Sequence, residues 1–188
     1  MPDTTKTTLI KQTDDIYQIS DHILKRARLA GHSHTGALFS FSGDLPPLIK
    51  TLDMMYANKT ILLTTNVPEN VICPVDREDM LELLGNLLDN AYKWATHKIT
   101  LSVHIDSDLH VCIEDDGPGV NPKKISELSK RGVRLDEKIQ GYGFGLAITA
   151  DIINDYNGNI SFKHSDNLGG FKADIILPIQ HNDNRVSQ

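Results

Sequence analysis

The sequence predicts an α/β fold, a two-layer α/β sandwich with a mixed sheet, preceded by one long helix. Three observations carry this expectation. Short segments of apolar alternation, of strand length, are interleaved with longer segments whose apolar residues recur at helical spacing. Two strand runs flank the turn residues Asp106–Ser107–Asp108. The first thirty residues carry an amphipathic pattern with nothing local to pack against.

The elements follow in chain order. Leu9, Ile16, Ile19, Ile23, Ala27 and Ala30 recur at helical spacing and stop at Gly31, which predicts a single amphipathic helix. After the linker Gly31 to Gly36 come an extended Leu38 to Phe41 and a helix opened by Pro46–Pro47 that runs to about Asn58. Thr60 to Asn66 alternates as a strand, and Val71 to Cys73 is a short one. A helix spans about Arg77 to Thr96, with Asp76 as its N-cap. Ile99 to Ile105 and Leu109 to Glu114 form a hairpin. Residues 121–140 lack a continuous apolar pattern and hold Lys123, Lys124, Lys130, Arg131, Arg134 and Lys138, a basic connecting segment. Gly143 to Tyr156 is a helix, and Gly158 to Phe162 with Gly170 to Leu177 closes the sheet. The expected division is therefore a helix at 1–31, one α/β domain at 32–180 and a polar tail at 181–188, without internal repeats.

Composition bounds the function. At 188 residues and 20.9 kDa, with 39% hydrophobic residues, the chain suits one α/β domain plus an appendage. Nineteen Lys and Arg against 25 Asp and Glu give a formal charge of −6, which argues against a general nucleic-acid binder. Cys73 and Cys112 show no CxxC spacing, as in a reducing, cytosolic setting. No run approaches the roughly 20 apolar residues of a membrane span, so any membrane segment is expected outside this chain. The eight histidines include no convincing metal-ligand pair.

Three segments carry chemistry. In ELLGNLLDNAYKW, steps of about 100° gather Glu82, Asn86, Asp89, Asn90 and Lys93 on one polar arc, with Leu81, Leu84, Leu88, Ala91 and Ala95 opposite. Two amides, two carboxylates and a lysine suit a metal, phosphates and proton transfer; a solvated amphipathic helix is the plain alternative. EDDGPGV follows a strand, where Asp115, Asp116, Gly117, Pro118 and Gly119 allow an abrupt turn and a close approach. GYGFGLA leads into a helix, so that alternating glycines Gly141, Gly143 and Gly145 leave backbone N–H groups free for phosphate oxygens. A dinucleotide fold is excluded, because no strand immediately precedes these glycines.

In this order the segments resemble the N, G1 and G2 boxes of the histidine-kinase, gyrase and heat-shock-chaperone ATPase superfamily. DNAYKWA resembles sensor histidine kinases in particular. ELSKRGVRLDEKIQGYGFGLAI is similar to the short lid of PhoQ-type sensor kinases, and NLGGFKADIILP to their closing hairpin. The resemblance runs from about Leu9 to Pro178. It implies a Bergerat-type ATP-binding fold, with ATP and Mg²⁺ as cofactors.

By that resemblance, Asp115 accepts from the adenine N6 amino group while Gly117 and Gly119 let the backbone approach the base. Asn86 supplies an oxygen to Mg²⁺. Asn90 and Lys93 face the phosphates, and Gly141, Tyr142, Gly143, Gly145 and Leu146 belong to the nucleotide site. Arg131 and Arg134 match the lid's RGxR pattern and would stabilise phosphoryl charge. Glu82 matches the acidic position that assists the attacking histidine, so that Glu82, Lys93 and Arg134 are the catalytic candidates. Trp94 stands where these kinases have Tyr or Phe beside the adenine, although an indole packs equally well in a core.

Three departures stand out. Tyr142 replaces a glutamine of the PhoQ-type pattern, so no metal contact is expected from this position. Ile139 replaces a lid arginine, with Lys138 beside it. No HExRTP-like segment exists, and His22 in SDHILKR sits on the helix that the resemblance makes the second of a dimerisation and phosphotransfer hairpin. The expectation is the cytoplasmic catalytic region of a sensor histidine kinase that lacks its phosphoacceptor helix and does not phosphorylate itself. In the full protein it would dimerise through the N-terminal helix and serve a response regulator receiver domain. A nucleotide-binding regulator without phosphotransfer, and an anti-sigma-type serine kinase, are the alternatives.

Overall fold

The computed structural model describes residues 36–68, 72–119 and 145–179. The helix expected over Leu9 to Ala30, the lid at 121–140 and the tail at 181–188 lie outside them.

The first strand, β1 (Leu38–Ser40), runs straight into helix α1 (Phe41–Met55). This helix begins earlier than the expected opening at Pro46–Pro47. Ser40 sets the start: its Oγ accepts the Gly43 N–H at 3.2 Å, while its own N–H donates to Asp44 Oδ2 at 2.9 Å. That reciprocal cap satisfies donors on both sides of the boundary. The two prolines then lie inside α1, where they forfeit ladder bonds to the carbonyls of the exposed Ser42 and Gly43.

Strands β2 (Leu62–Asn66) and β3 (Ile72–Asp76) precede helix α2 (Arg77–Trp94). Strands β4 (Lys98–Ile105) and β5 (Asp108–Asp115) form the expected hairpin, and helix α3 (Gly145–Asp155) leads to β6 (Asn159–His164) and β7 (Phe171–Pro178). The main sheet has the order β2-β4-β5-β7-β6, with β2 parallel to β4 and the remaining pairs antiparallel. The sheet is mixed, as expected. Strand β3 does not join it but pairs antiparallel with β1.

Register explains the layering. Leu101, Ile113 and Ala173 lie side by side across β4, β5 and β7, as do Val103, Val111 and Ile175. All six are buried against the apolar stripe of α2 (Leu83, Leu84, Leu87, Leu88, Ala91), with Ile152 and Ile153 of α3 and Leu45 and Leu52 of α1 completing the core. On β5 the inward row reads Leu109, Val111, Ile113 and then Asp115, so a carboxylate stands where the alternation places an apolar residue. The outward row carries His110, Cys112 and Glu114.

Long-range polar bonds lock the helices. Tyr156, just beyond α3, accepts the Asp76 N–H at 3.1 Å and donates to Asp79 Oδ2 at 2.7 Å. It ties the end of α3 to the start of α2. Tyr92 of α2 reaches Asp53 of α1 at 2.7 Å. The two cysteines are free; burial pushes the Cys73 thiol up to about 12, and burial with the Asp174 carboxylate does the same to Cys112. Among the described residues no helix is long and apolar enough to cross a membrane.

Candidate functional site

Both ends of helix α2 are fixed by side chains. Asp76 caps its start, accepting the Glu78 N–H at 2.8 Å, and Glu78 and Asp79 place negative charge on its first turn. At the other end the Lys59 ammonium donates to the carbonyls of Tyr92, Lys93 and Ala95 at 2.9, 2.6 and 3.2 Å. A cation on the last carbonyls complements the helix dipole. The polar face between these ends is thereby held in place.

Along that face Glu82, Asn86 and Asn90 are half-buried, and Lys93 is exposed with its Nζ 5.0 Å from the centroid of the Trp94 ring. Trp94 keeps 38% of its surface exposed. The Asn86 amide faces the start of α3: a β-carbon on Gly145 would lie 2.9 Å from Asn86 Oδ1. Among the described residues no hydrogen bond reaches the buried Asn86 Nδ2, and a buried donor without an acceptor costs free energy. Asp89 lies on the same arc, but its carboxylate is already engaged. Its Oδ1 accepts the Tyr56 hydroxyl at 2.8 Å, so this carboxylate ties α2 to the end of α1.

The glycine turn after β5 converges on the same helix. Asp115 is 3% exposed; its Oδ1 accepts the Gly117 N–H at 2.8 Å and the Phe171 N–H at 3.3 Å. Among the described residues its Oδ2 receives no hydrogen bond. Burial, only partly offset by those two N–H groups, pushes the carboxyl above the ordinary carboxylate range. A β-carbon on Gly117 would overlap the Trp94 carbonyl oxygen, so only glycine lets the turn lie against the end of α2. Gly119 adopts φ of 67°, a left-handed conformation that favours glycine.

Asp116 has a different task from its neighbour. Its carboxylate accepts the Thr96 N–H at 2.8 Å and the His97 N–H at 2.9 Å. Burial opposes its ionisation, yet backbone groups at Lys98, His97 and Thr96 together hold its pKa below the usual value. It fixes the connection from α2 to β4.

The structure thus sets Asn86 against Gly145 and, further along α2, Trp94 against Gly117 and Asp115. Leu146 lies in the hydrophobic core, which leaves its backbone as the part nearest the helix start. Arg131, Arg134, Gly141, Tyr142 and Gly143 fall outside the described residues. The roles of three further residues were not expected from the sequence. Lys59 caps the helix from a loop; Asp116 stands inside the glycine motif without a distinct sequence signal; and Gly170 packs where a β-carbon would come within 2.5 Å of Asp115 Oδ1 and 2.6 Å of Gly117 N. The Gly169–Gly170 pair was the available signal for the last.

A mixed sheet covered by helices, an amide-bearing helix and a buried carboxylate leading into a glycine turn define a nucleotide-binding domain. Residues 75–181, more than half of the chain, match the family described as histidine kinase-, DNA gyrase B-, and HSP90-like ATPase, and the chain belongs to that family. The sensor protein kinase CarS of Pseudomonas aeruginosa is 38% identical over 173 residues, 92% of this chain and 38% of that protein. The two-component sensor PhoQ of the same organism is 34% identical over 82% of this chain and 33% of its own length. The chain therefore spans about a third of the length of the curated relatives it matches, 33–38%. Among solved structures, the Acinetobacter baumannii histidine kinase AdeS is similar at a TM-score of 0.67 and 19% identity, covering 96% of this chain and 86% of that one. The mycobacterial sensor histidine kinase MprB gives 0.59 and 23%, covering 73% and 93%. These structural likenesses establish the fold.

Proposed function

We propose that the chain is the Mg·ATP-binding catalytic domain, residues 32–180, of a two-component sensor histidine kinase, with residues 1–31 as the second helix of its dimerisation hairpin. The full protein would move the γ-phosphoryl of ATP to a histidine outside this chain, for relay to a response regulator, on the cytoplasmic side of a membrane sensor. The observation that carries the nucleotide reading is Asp115. A buried carboxylate with Oδ1 held by two backbone N–H groups keeps Oδ2 for a donor, and the N6 amino group of adenine is such a donor. Gly117 and Gly119 keep side chains away from the base.

Asn86 supports the rest of the ligand. Its orphaned Nδ2 calls for an acceptor such as a phosphate oxygen, and turning the amide over would present its oxygen to a hard cation instead. Its donor set therefore fits Mg²⁺, which when bound would neutralise phosphate charge. Asn90 and Lys93 lie further along the same face, towards the phosphates, with Lys93 acting as a point charge. The N-terminal turn of α3 adds backbone N–H groups to an anion site. Glu82, one turn before Asn86, would orient the attacking histidine or take its proton, since a carboxylate beside polyphosphate contributes nothing to ground-state affinity. Arg131 and Arg134 of the lid would stabilise charge on the transferring group.

Calorimetry with ADP and ATP, with Mg²⁺ and after chelation, tests this reading. Binding of both that weakens without Mg²⁺ is expected, together with no phosphate on the chain after incubation with labelled ATP. Absence of adenine-nucleotide binding, or acid-labile label on His22, would overturn it.

A further inference from the structure

Glu114 and Asp115 are consecutive on β5, so their side chains leave opposite faces of the strand. The proposed function uses Asp115 and leaves Glu114 without a role. Yet Glu114 is only 6% exposed, and both its oxygens are engaged by one turn, the connection from β6 to β7. Ser165 Oγ donates to Oε1 at 2.8 Å, and Asn167 Nδ2 lies 3.3 and 3.2 Å from Oε1 and Oε2.

The turn is tied internally around the same serine. Ser165 Oγ accepts the Leu168 N–H at 2.9 Å, Ser165 O accepts the Gly169 N–H at 2.8 Å, and Ser165 N–H donates to Gly170 O at 2.9 Å. Gly169 adopts φ of 86° to allow this path. On the other face of β5 the turn delivers Gly170 and Phe171: the first packs directly against the Asp115 carboxylate, and the N–H of the second donates to Asp115 Oδ1. One turn therefore straddles the end of β5, gripped by Glu114 on one side and aiming Asp115 on the other.

We propose that Glu114 is a positioning residue for base recognition: it holds the Ser165–Gly170 turn so that the Phe171 N–H fixes the Asp115 carboxylate in the orientation that reads the 6-amino group of adenine. This rests on the assignment of Asp115 to adenine. Losing the grip frees the carboxylate to rotate, so the loss falls on the adenine-specific part of binding and spares what the phosphates contribute.

The test compares ADP with purine riboside diphosphate, which lacks the 6-amino group, by calorimetry on the full 188-residue chain. Glu114→Ala should weaken ADP about tenfold, the scale of one hydrogen bond to a charged group, and leave the analogue within about twofold. Glu114→Gln should stay within about threefold of the parent for both, because its oxygen still accepts from Ser165 and Asn167 can turn its amide to meet the new N–H. The exposed Asn167→Ala removes half of the grip without threatening the fold and should lower the ADP-to-analogue ratio about threefold. Amide exchange at Phe171 should accelerate in both alanine variants. A parent that does not distinguish ADP from the analogue refutes the Asp115 assignment and this proposal with it. A parent that distinguishes them, with alanine variants that keep the parental ratio, refutes the role of Glu114 alone.

Discussion

Replacing Asp115 by asparagine should move stability and binding in opposite directions. Burial raises the Asp115 pKa in the folded chain. Between its unfolded and folded values the native state holds the proton more tightly, so stability is lost as pH rises through the folded value. Asparagine has no charge to desolvate and keeps an oxygen for the Gly117 and Phe171 N–H groups. At neutral pH the nucleotide-free variant should melt above the parent, by about 2–4 °C for each kcal/mol gained in a chain of this size. The advantage should shrink in acid, where the parental carboxyl is already protonated. Binding runs the other way. The new amide turns a donor towards the N6 amino group, and two facing donors cost about 1–3 kcal/mol, a loss of roughly 5- to 150-fold in affinity. Differential scanning fluorimetry across pH and calorimetry with ADP read the two effects separately. A variant that binds ADP like the parent refutes the adenine contact; one that melts lower at neutral pH refutes the burial argument.

Other outcomes follow from the same geometry. Lys59→Met keeps the aliphatic stem but removes the ammonium from the α2 carbonyls, and should cost about 1 kcal/mol, or about 2–4 °C in midpoint, with ADP affinity changed far less. Emission from Trp94, the only tryptophan and 38% exposed beside the glycine turn, should change when ADP saturates the protein; an unaltered spectrum would make it a packing residue. Glu82→Gln, tested in a chain that includes the phosphoacceptor helix, should keep nucleotide affinity within a few-fold while phosphotransfer falls roughly 10²-fold or more. Phosphorylation at the parental rate would reduce Glu82 to a surface carboxylate.

The parts of the site that were legible in the sequence are those with strong local periodicity. The 3.6-residue pattern puts Asn86 and Lys93 on one face of α2, and the alternation of β5 delivers Asp115 at a strand end before glycines. What escaped depends on contacts distant in sequence. Asp89 has the same spacing as Asn86 and Asn90, yet Tyr56, 33 positions earlier, claims its carboxylate. The prolines of α1 carry a strong start signal that a short-range Ser40–Asp44 cap overrides one turn upstream. Strand β3 was expected to be short, and its partner β1 stands 34 residues before it, so no local pattern reveals that the two form a separate ribbon. Glu114 reads as an ordinary outward strand residue until the turn 51 positions later folds onto it.

The two thiols give the domain a chemical silence that is useful in practice. With pKa values near 12, Cys73 and Cys112 hold almost no thiolate at neutral pH, and the thiolate is the form that alkylating reagents and peroxides attack. They are also the chain's only cysteines. A third cysteine placed at an exposed position, such as Met54 on α1, would be the fast-reacting nucleophile. A dye or spin label could then be attached there in a single step with the native pair left in place.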